Sequence, residues 1–388
     1  MEKDIKKIFE ERKKRVMTAC DLKEPDIVPI LSQVNAFAIG YSGHTAEEIF
    51  DDKDLERECY AKALTDFYCD TVMNFGMNYP YKAFIEAGTS AYFISENGYT
   101  IQHKEASSMT HEEYDELFED PVKFFADKIA FRKISGLQEP YPKNYQHLEN
   151  LYKALDAHKA NNSYNKKYVQ DVLGLPLMNR GSAAHPLDNF FDFIRGFQGT
   201  LTDMRRHPEK VLKAIEVLTP YYVGTLPDPE KPFDNPFPYA RNTAHIPTFL
   251  SPKQFETFYW PYLKWAIERA HAAGTKYIIF CEGTWENHFP LFEQVPKGSV
   301  IAVLESDDAV RMKKLYGNHM TIGGGYTQAV LKYGTKQECI DCAKRAIDEC
   351  APGGGYIFTG DKSFLTLEDI NVDNYRAITE FAHEYGKY

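Results

Sequence analysis

The sequence predicts an α/β fold of the (β/α)₈ TIM-barrel class, on three observations. The chain has 388 residues, within the ~200 to over 400 that such a barrel spans once it carries insertions. Short apolar runs alternate with longer amphipathic ones, the pattern of strand–helix units that build a parallel sheet. Eight such short runs occur, at residues 28–31, 71–75, 175–179, 239–247, 277–281, 300–304, 320–324 and 355–359, and eight strands are what closes the barrel.

The elements follow in order. A charged segment over residues 5–19 reads as a helix. Its basic residues (Lys6, Lys7, Arg12, Lys13, Lys14, Arg15) alternate with Glu10 and Glu11, as on a solvated face. The turn Lys23-Glu24-Pro25-Asp26 leads into strand one, and a helix over 54–68 leads into strand two. Residues 76–174 then form an insertion. It contains a hairpin over 91–103 turning at Glu96-Asn97-Gly98-Tyr99, an acidic helix starting at Thr110 and a polar stretch over 158–167. Its modest apolar content makes it a lid or partner-docking excursion of a single 1–388 domain, with plain surface decoration as the competing reading. A proline-rich stretch over 226–238 precedes strand four and is expected over the barrel mouth. Helices over 261–273, 309–316 and 336–349 separate the later strands.

Composition narrows the function. A net charge of −11 argues against nucleic acid as a partner, because phosphate binding needs clustered Lys and Arg. No segment reaches the ~18 apolar residues of a membrane helix, and the charged N-terminus lacks the apolar core of a secretory signal. Seven scattered cysteines fit a reducing, cytoplasmic setting. Cys339, Cys342 and Cys350 lie on a helical pattern with no second Cys or His pair, so free thiols are expected there, not a metal site.

In a barrel of this class the residues just past each strand's C-terminal end face the substrate. Those positions hold His245 after strand four, Glu282 and Trp285 after strand five, Glu305 with Asp307 and Asp308 after strand six, Tyr326 after strand seven, and Asp361 with Lys362 after strand eight. Several carboxylates and a histidine converge on one mouth. Packing alone accounts poorly for this, because unpaired carboxylates repel and resist desolvation.

The chain resembles the uroporphyrinogen decarboxylase superfamily in its corrinoid-dependent methyltransferase branch. The resemblance rests on Arg15-Val16-Met17 to Pro25-Asp26-Ile27-Val28-Pro29, on Phe190 to Gly199 with Asp203, and on His207-Pro208-Glu209-Lys210-Val211. It continues through Leu250-Ser251-Pro252 with Phe255, Trp260-Pro261-Tyr262-Leu263-Lys264 and Gly353-Gly354-Gly355-Tyr356-Ile357. Order and spacing make the set specific, and it spans nearly the whole chain outside the insertion. The decarboxylase itself uses an arginine-rich loop after strand one to hold a polycarboxylated tetrapyrrole. Here no arginine occurs between Arg15 and Arg57, so a multiply charged anion has little to grip it.

Members of the branch that methylate a thiol carry His-x-Cys at the end of strand five and a Cys after strand eight, as zinc ligands. The matching positions here are Phe280, Glu282 and Asp361. Cys281 does not restore the set, because strand alternation points it away from Glu282. The resemblance therefore implies a zinc site rebuilt from Glu282, Asp361 and His245, with Glu305 as a substitute ligand or catalytic acid beside Glu282. Oxygen ligands leave zinc a stronger Lewis acid, suited to the leaving oxygen of a methyl ether. The competing reading pairs Glu282 and Asp361 with Lys362 or Arg180.

With 26 Tyr and 26 Phe, many at strand ends or in covering loops (Phe37, Tyr41, Phe75, Tyr79, Tyr81, Phe237, Tyr239, Trp285, Tyr326), the mouth suits a small aromatic methyl donor. Asn74, Asn78 and Asn179 are expected to supply hydrogen bonds, and Phe37, Trp285 and Tyr326 the wall. The implied activity is an O-demethylase methyltransferase that moves methyl from a methoxylated aromatic to the Co(I) of a separate corrinoid protein, since no cobalamin module is visible in the sequence. Methyl transfer from methylcorrinoid to tetrahydrofolate or a thiol is the alternative. A tetrapyrrole-type decarboxylase and a non-catalytic binding barrel follow behind it. A homodimer stays open.

Overall fold

The computed structural model describes residues 2–89, 91–104, 107–178, 181–223, 226–232 and 240–388. Its strands are β1 (Leu31–Ser32), β2 (Thr71–Val72), β3 (Tyr92–Ile94), β4 (Ile101–His103), β5 (Gly181–Ser182), β6 (Ala240–Ala244), β7 (Tyr277–Cys281), β8 (Val300–Leu304), β9 (Thr321–Tyr326) and β10 (Tyr356–Gly360). Strands β5 to β10 form one parallel sheet in the order β10-β9-β8-β7-β6-β5, and β1 pairs with β2 in a second parallel pair. Isolated parallel bridges join the two, Ile30 to Phe358 on one side and Val72 to Leu177 on the other. The fold is thus α/β around parallel strands. The third run pairs in parallel with β2 at Leu177, where its sequence suggests, and extends further than its apolar residues: the pairing with β6 falls at Gly181–Ser182.

Register sorts the side chains into two faces. Across the sheet Arg241 stands level with Ile278, and Thr243 with Phe280. Ile278 is in turn level with Ile301, and Phe280 with Val303. Level residues of a parallel pair point the same way. Ile278, Ile301, Val303 and Ile357 gather with Leu31, Met73, Met178 and half-buried Phe280 into one apolar cluster, the inner face. Helix α1 (Glu2–Cys20) contributes Val16, Met17 and Cys20 to it. The alternate residues Tyr277, Ile279, Cys281, Val300, Ala302 and Leu304 pack outward against the surrounding helices.

Arg15 leaves the solvated face on which its neighbours lie. It is buried and joins Asp26 (2.7 Å) and the fully buried Asp70 (2.5 Å), fastening α1 to the strands. Lys7 stays at the surface with Glu11, and half-buried Lys13 pairs with exposed Glu10.

Between β2 and β5 the chain forms the expected hairpin, with β3 and β4 antiparallel around Asn97 and Gly98. Thr110 starts the acidic helix with a capping box to Glu113. The polar stretch over 158–167 lies inside a 29-residue helix, α2 (Lys143–Asp171). Of the proline-rich stretch, residues 233–239 lie outside the described residues. Cys339 and Cys342 are on the helix Lys336–Cys350, each donating its thiol to a backbone carbonyl, and all seven cysteines are free thiols. Among the described residues no helix is long and apolar enough to cross a membrane.

Candidate active site

The C-terminal edge of the sheet brings His245 and Glu282 together. Both follow the inner-face parity of their strands, and His245 Nε2 lies 3.0 Å from Glu282 Oε1. The other ring nitrogen, Nδ1, lies 2.8 Å from Asp192 Oδ2. With a carboxylate on each side the ring holds both protons. Burial alone would lower its pKa, but the hydrogen bonds to Asp192 and Glu282 outweigh it and push the imidazolium up to about 11.

The ring is positioned from behind by a buried network. The backbone N–H groups of His245 and Ile246 donate to Asp188 Oδ1 at 3.1 and 3.0 Å. Asp188 Oδ2 accepts from the Tyr259 hydroxyl at 2.6 Å, and that hydroxyl accepts from Asn242. Burial raises the Asp188 carboxyl to about 7. Asp192 rides on a π-helical turn, Phe190–Ile194, whose Phe190, Phe191 and Ile194 are buried. Such bulges re-aim one side chain out of a regular helix.

Glu282 depends on a tight turn. Gly283 has φ +69°, and a side chain there would collide with Thr248 Oγ1, so only glycine fits. The Glu305 carboxylate accepts from the Gly283 N–H and pairs with Lys362 at 2.9 Å. Asp307 accepts from the backbone N–H groups of Trp285 and Glu286. These two carboxylates fasten the loop that presents Glu282.

Asp361 is not brought into this group. Its carboxylate accepts from the Gln328 backbone N–H at 2.9 Å and lines a surface depression with Asp307, Asp308, Thr327 and Arg345. Burial raises its pKa. Among the described residues no three His, Cys, Asp or Glu side chains are grouped to hold a metal. As they stand, Glu282, Asp361 and His245 do not fit zinc. Lys362 pairs with Glu305, not with Glu282 or Asp361 as the competing reading had it.

The expected wall is corrected. Phe37 and Trp285 are fully buried and Tyr326 nearly so. Phe37 packs on Tyr41, Phe67 and Phe364, Trp285 on Phe255, Phe289 and Phe292, and Tyr326 on Phe358 and Tyr375. All three are core, because a large ring between sheet and helix gains more by complete burial than at a wet mouth. Asn78 is exposed, and its backbone carbonyl meets His158 of α2 at 2.8 Å. Asn179, with Arg180, Phe237 and Tyr239, lies outside the described residues. Asn74 does reach the inner face, where its Oδ1 accepts from Arg241 at 3.1 Å.

Sequence reasoning passed over Asp192 and Arg241, though each left a signal. Asp192 is the one carboxylate in the apolar run Phe190-Phe191-Asp192-Phe193-Ile194. Arg241 shares the strand parity of His245, four residues on. The insertion reaches this region too, with His103 5.0 Å from the ring of Phe193 and Lys133 Nζ 5.2 Å from the same ring. Burial lowers Lys133 to about 8, against the pull of Asp192.

Residues 233–385 match the family model described as Uroporphyrinogen decarboxylase (URO-D). That segment holds Arg241, His245, Glu282, Glu305 and Asp361. No curated protein matches the chain by sequence. Among solved structures, a methyltransferase from Methanosarcina mazei superposes with a TM-score of 0.61 at 12% identity, covering 96% of this chain and 98% of its own. At that identity the likeness is one of fold.

Proposed function

We propose that this chain, URO-D-like over residues 233–385 and folded over nearly its whole length like a methyltransferase, transfers methyl from an aryl methyl ether to the cobalt of a separate corrinoid protein. In this reading the eight parallel strand positions close into a (β/α)₈ barrel, and the corrinoid supplies the nucleophile at its mouth. The observation that carries the reading is the imidazolium of His245, clamped between Asp192 and Glu282 at the C-terminal strand edge.

Ether cleavage is limited by its leaving group. As the methyl carbon is taken, the C–O electron pair stays on the oxygen, which must be stabilised or protonated. An aryloxide has a basicity near that of tyrosinate, ~10. An imidazolium of about 11 is close to matched with it, so the ring donates a strong hydrogen bond and shares its proton with the oxygen only as the bond breaks and charge develops there. Asp192 holds the ring through Nδ1, and Nε2–H, beside Glu282, is the proton to give. Transfer leaves a neutral imidazole between two carboxylates, which recovers a proton from solvent. No step needs a metal, and the loop carboxylates Glu305 and Asp307 act by holding Glu282 in place.

The insertion supports the partner half of the reading. Helix α2 exposes Tyr145, Leu148, Tyr152 and Leu155, spaced three and four apart so that they form one apolar stripe. We assign this stripe to the corrinoid protein.

The test is incubation of the chain with a methoxyarene and reduced corrinoid protein, following the cobalt absorbance. Methylcorrinoid and the free phenol are expected in equal amounts. No methylation with any methoxyarene, together with methyl passing from methylcorrinoid to a thiol or tetrahydrofolate, would favour the alternative direction.

A further inference from the structure

Arg241 is a guanidinium on the inner face that has no carboxylate within ion-pairing distance among the described residues. Its two hydrogen bonds among the described residues are to neutral oxygens, Nη1 to Asn74 Oδ1 at 3.1 Å and Nη2 to Thr243 Oγ1 at 3.0 Å. A guanidinium has five N–H donors in a rigid fork, so these two bonds leave most of it unused. The same two bonds fix its orientation, one from the strand it sits on and one from the residues following β2.

Its surroundings make this unusual. The residue is only half-buried, while its neighbours Ala240, Asn242 and Ala244 are buried on the other face. Burial lowers its pKa, partly offset by Tyr79 and by the charge of Glu282 at a distance. Glu282 does not close the pair, because it is engaged with His245. A cation taken partly out of water without a counter-charge costs free energy that a structural role would have met with a carboxylate. Elsewhere this chain does so: Arg15 with Asp26 and Asp70, Arg132 with Glu113, Arg195 with Asp203.

The geometry points to Arg241 as the receptor for a carboxylate on the methyl donor, so that the substrate is a methoxylated aromatic acid. The fork matches a carboxylate in two parallel hydrogen bonds. A monoanion suits the site better than a phosphate dianion, because Glu282 and Glu305 follow strands of the same edge and Asp192 reaches it from the Phe190–Ile194 turn, and these carboxylates would repel the second charge. One Arg on a fixed strand also orients the ring, presenting its ether oxygen in a definite direction from the acid group. This inference rests on the aryl-ether reading for the ring but not for the anion site itself.

Calorimetric titration of the whole chain, without corrinoid, separates the two. The probes are 3-methoxybenzoate, 3-methoxybenzamide and methoxybenzene. Charge-assisted bidentate bonds are worth enough to make the benzoate bind about 10- to 100-fold tighter than the benzamide. Arg241→Met should erase that preference while leaving methoxybenzene binding unchanged, with circular dichroism and the melting midpoint confirming a folded chain. Arg241→Lys keeps the charge without the fork and should recover only part of the preference. Equal binding of benzoate and benzamide by the wild type overturns the inference whether or not either variant folds. So does a benzoate preference that survives in Arg241→Met. Benzoate binding through Arg241 with no methyl transfer from any methoxyarene would keep the anion site and remove the aryl-ether reading.

Discussion

At the scale of single residues the site turns on one proton. His245 has a folded-state pKa near 11 against an ordinary value of ~6.5. A pKa raised on folding stabilises the folded chain fully below the unfolded value, and that contribution fades as pH rises through the folded one. Between pH 7 and 9 the ring therefore stays charged and its clamp intact. NMR of ring-labelled histidine should find His245 unchanged from pH 6 to 9; a midpoint near 6.5 would mean that Asp192 and Glu282 do not hold it. Much of this was legible in the sequence, because strand parity sets which side chains reach the mouth, and it placed His245, Glu282 and Glu305 there. It could not fix what those groups touch. Asp361 shares the right parity but turns to the Gln328 N–H, and Glu305 is taken up by Lys362 and Gly283. Asp192 comes from a helix, and its approach depends on a π-helical turn that no periodicity announces.

At the scale of elements the loops after β7 and β8 act as one unit, since carboxylates from the second close the first. The insertion is a different kind of element. Its buried residues Leu151, Asn165 and Val169 seat α2 against the body, while Tyr145, Leu148, Tyr152 and Leu155 face outward. Substituting Tyr145 and Tyr152 together by Ser removes two large contact side chains without touching that buried face. The KM for the corrinoid protein should rise about tenfold, in line with the loss of interfacial tyrosines, and the KM for the aryl ether should not move. A change in the second without the first would make the helix a lid over the donor. Sequence spacing gave the hairpin and the acidic helix, because Asn97-Gly98 and the Thr110–Glu113 capping box are local signals. It did not find α2, of which it gave only the polar stretch over 158–167, because just Leu151, Asn165 and Val169 of its 29 residues are buried.

At the scale of the molecule the strand–helix alternation was readable because each parallel strand buries both faces and so appears as a short apolar run. Residues 277–281 and 300–304 fall on the strand bounds themselves. The third run was readable on one side only: Leu177 pairs with β2 where the apolar run lies, whereas the pairing with β6 falls beyond it, on Gly181–Ser182. The aromatic wall failed for a related reason: composition counts rings but cannot tell a mouth from a core, and Phe37, Trp285 and Tyr326 went to the core. In the proposed reading the whole assembly serves to hold an imidazolium where an ether oxygen leaves. That claim is tested most directly by the rate of methyl transfer from a methoxyarene to reduced corrinoid protein in Glu282→Gln against wild type, each assayed before and after metal removal. The account predicts a kcat lower by ~10²–10³, within the range for loss of a positioned general acid, because the ring then lacks one of the two carboxylates that keep it protonated and aimed, with KM for the ether nearly unchanged and wild-type activity surviving chelation. Wild-type rates in Glu282→Gln, or wild-type activity abolished by chelation and restored by zinc, would contradict it.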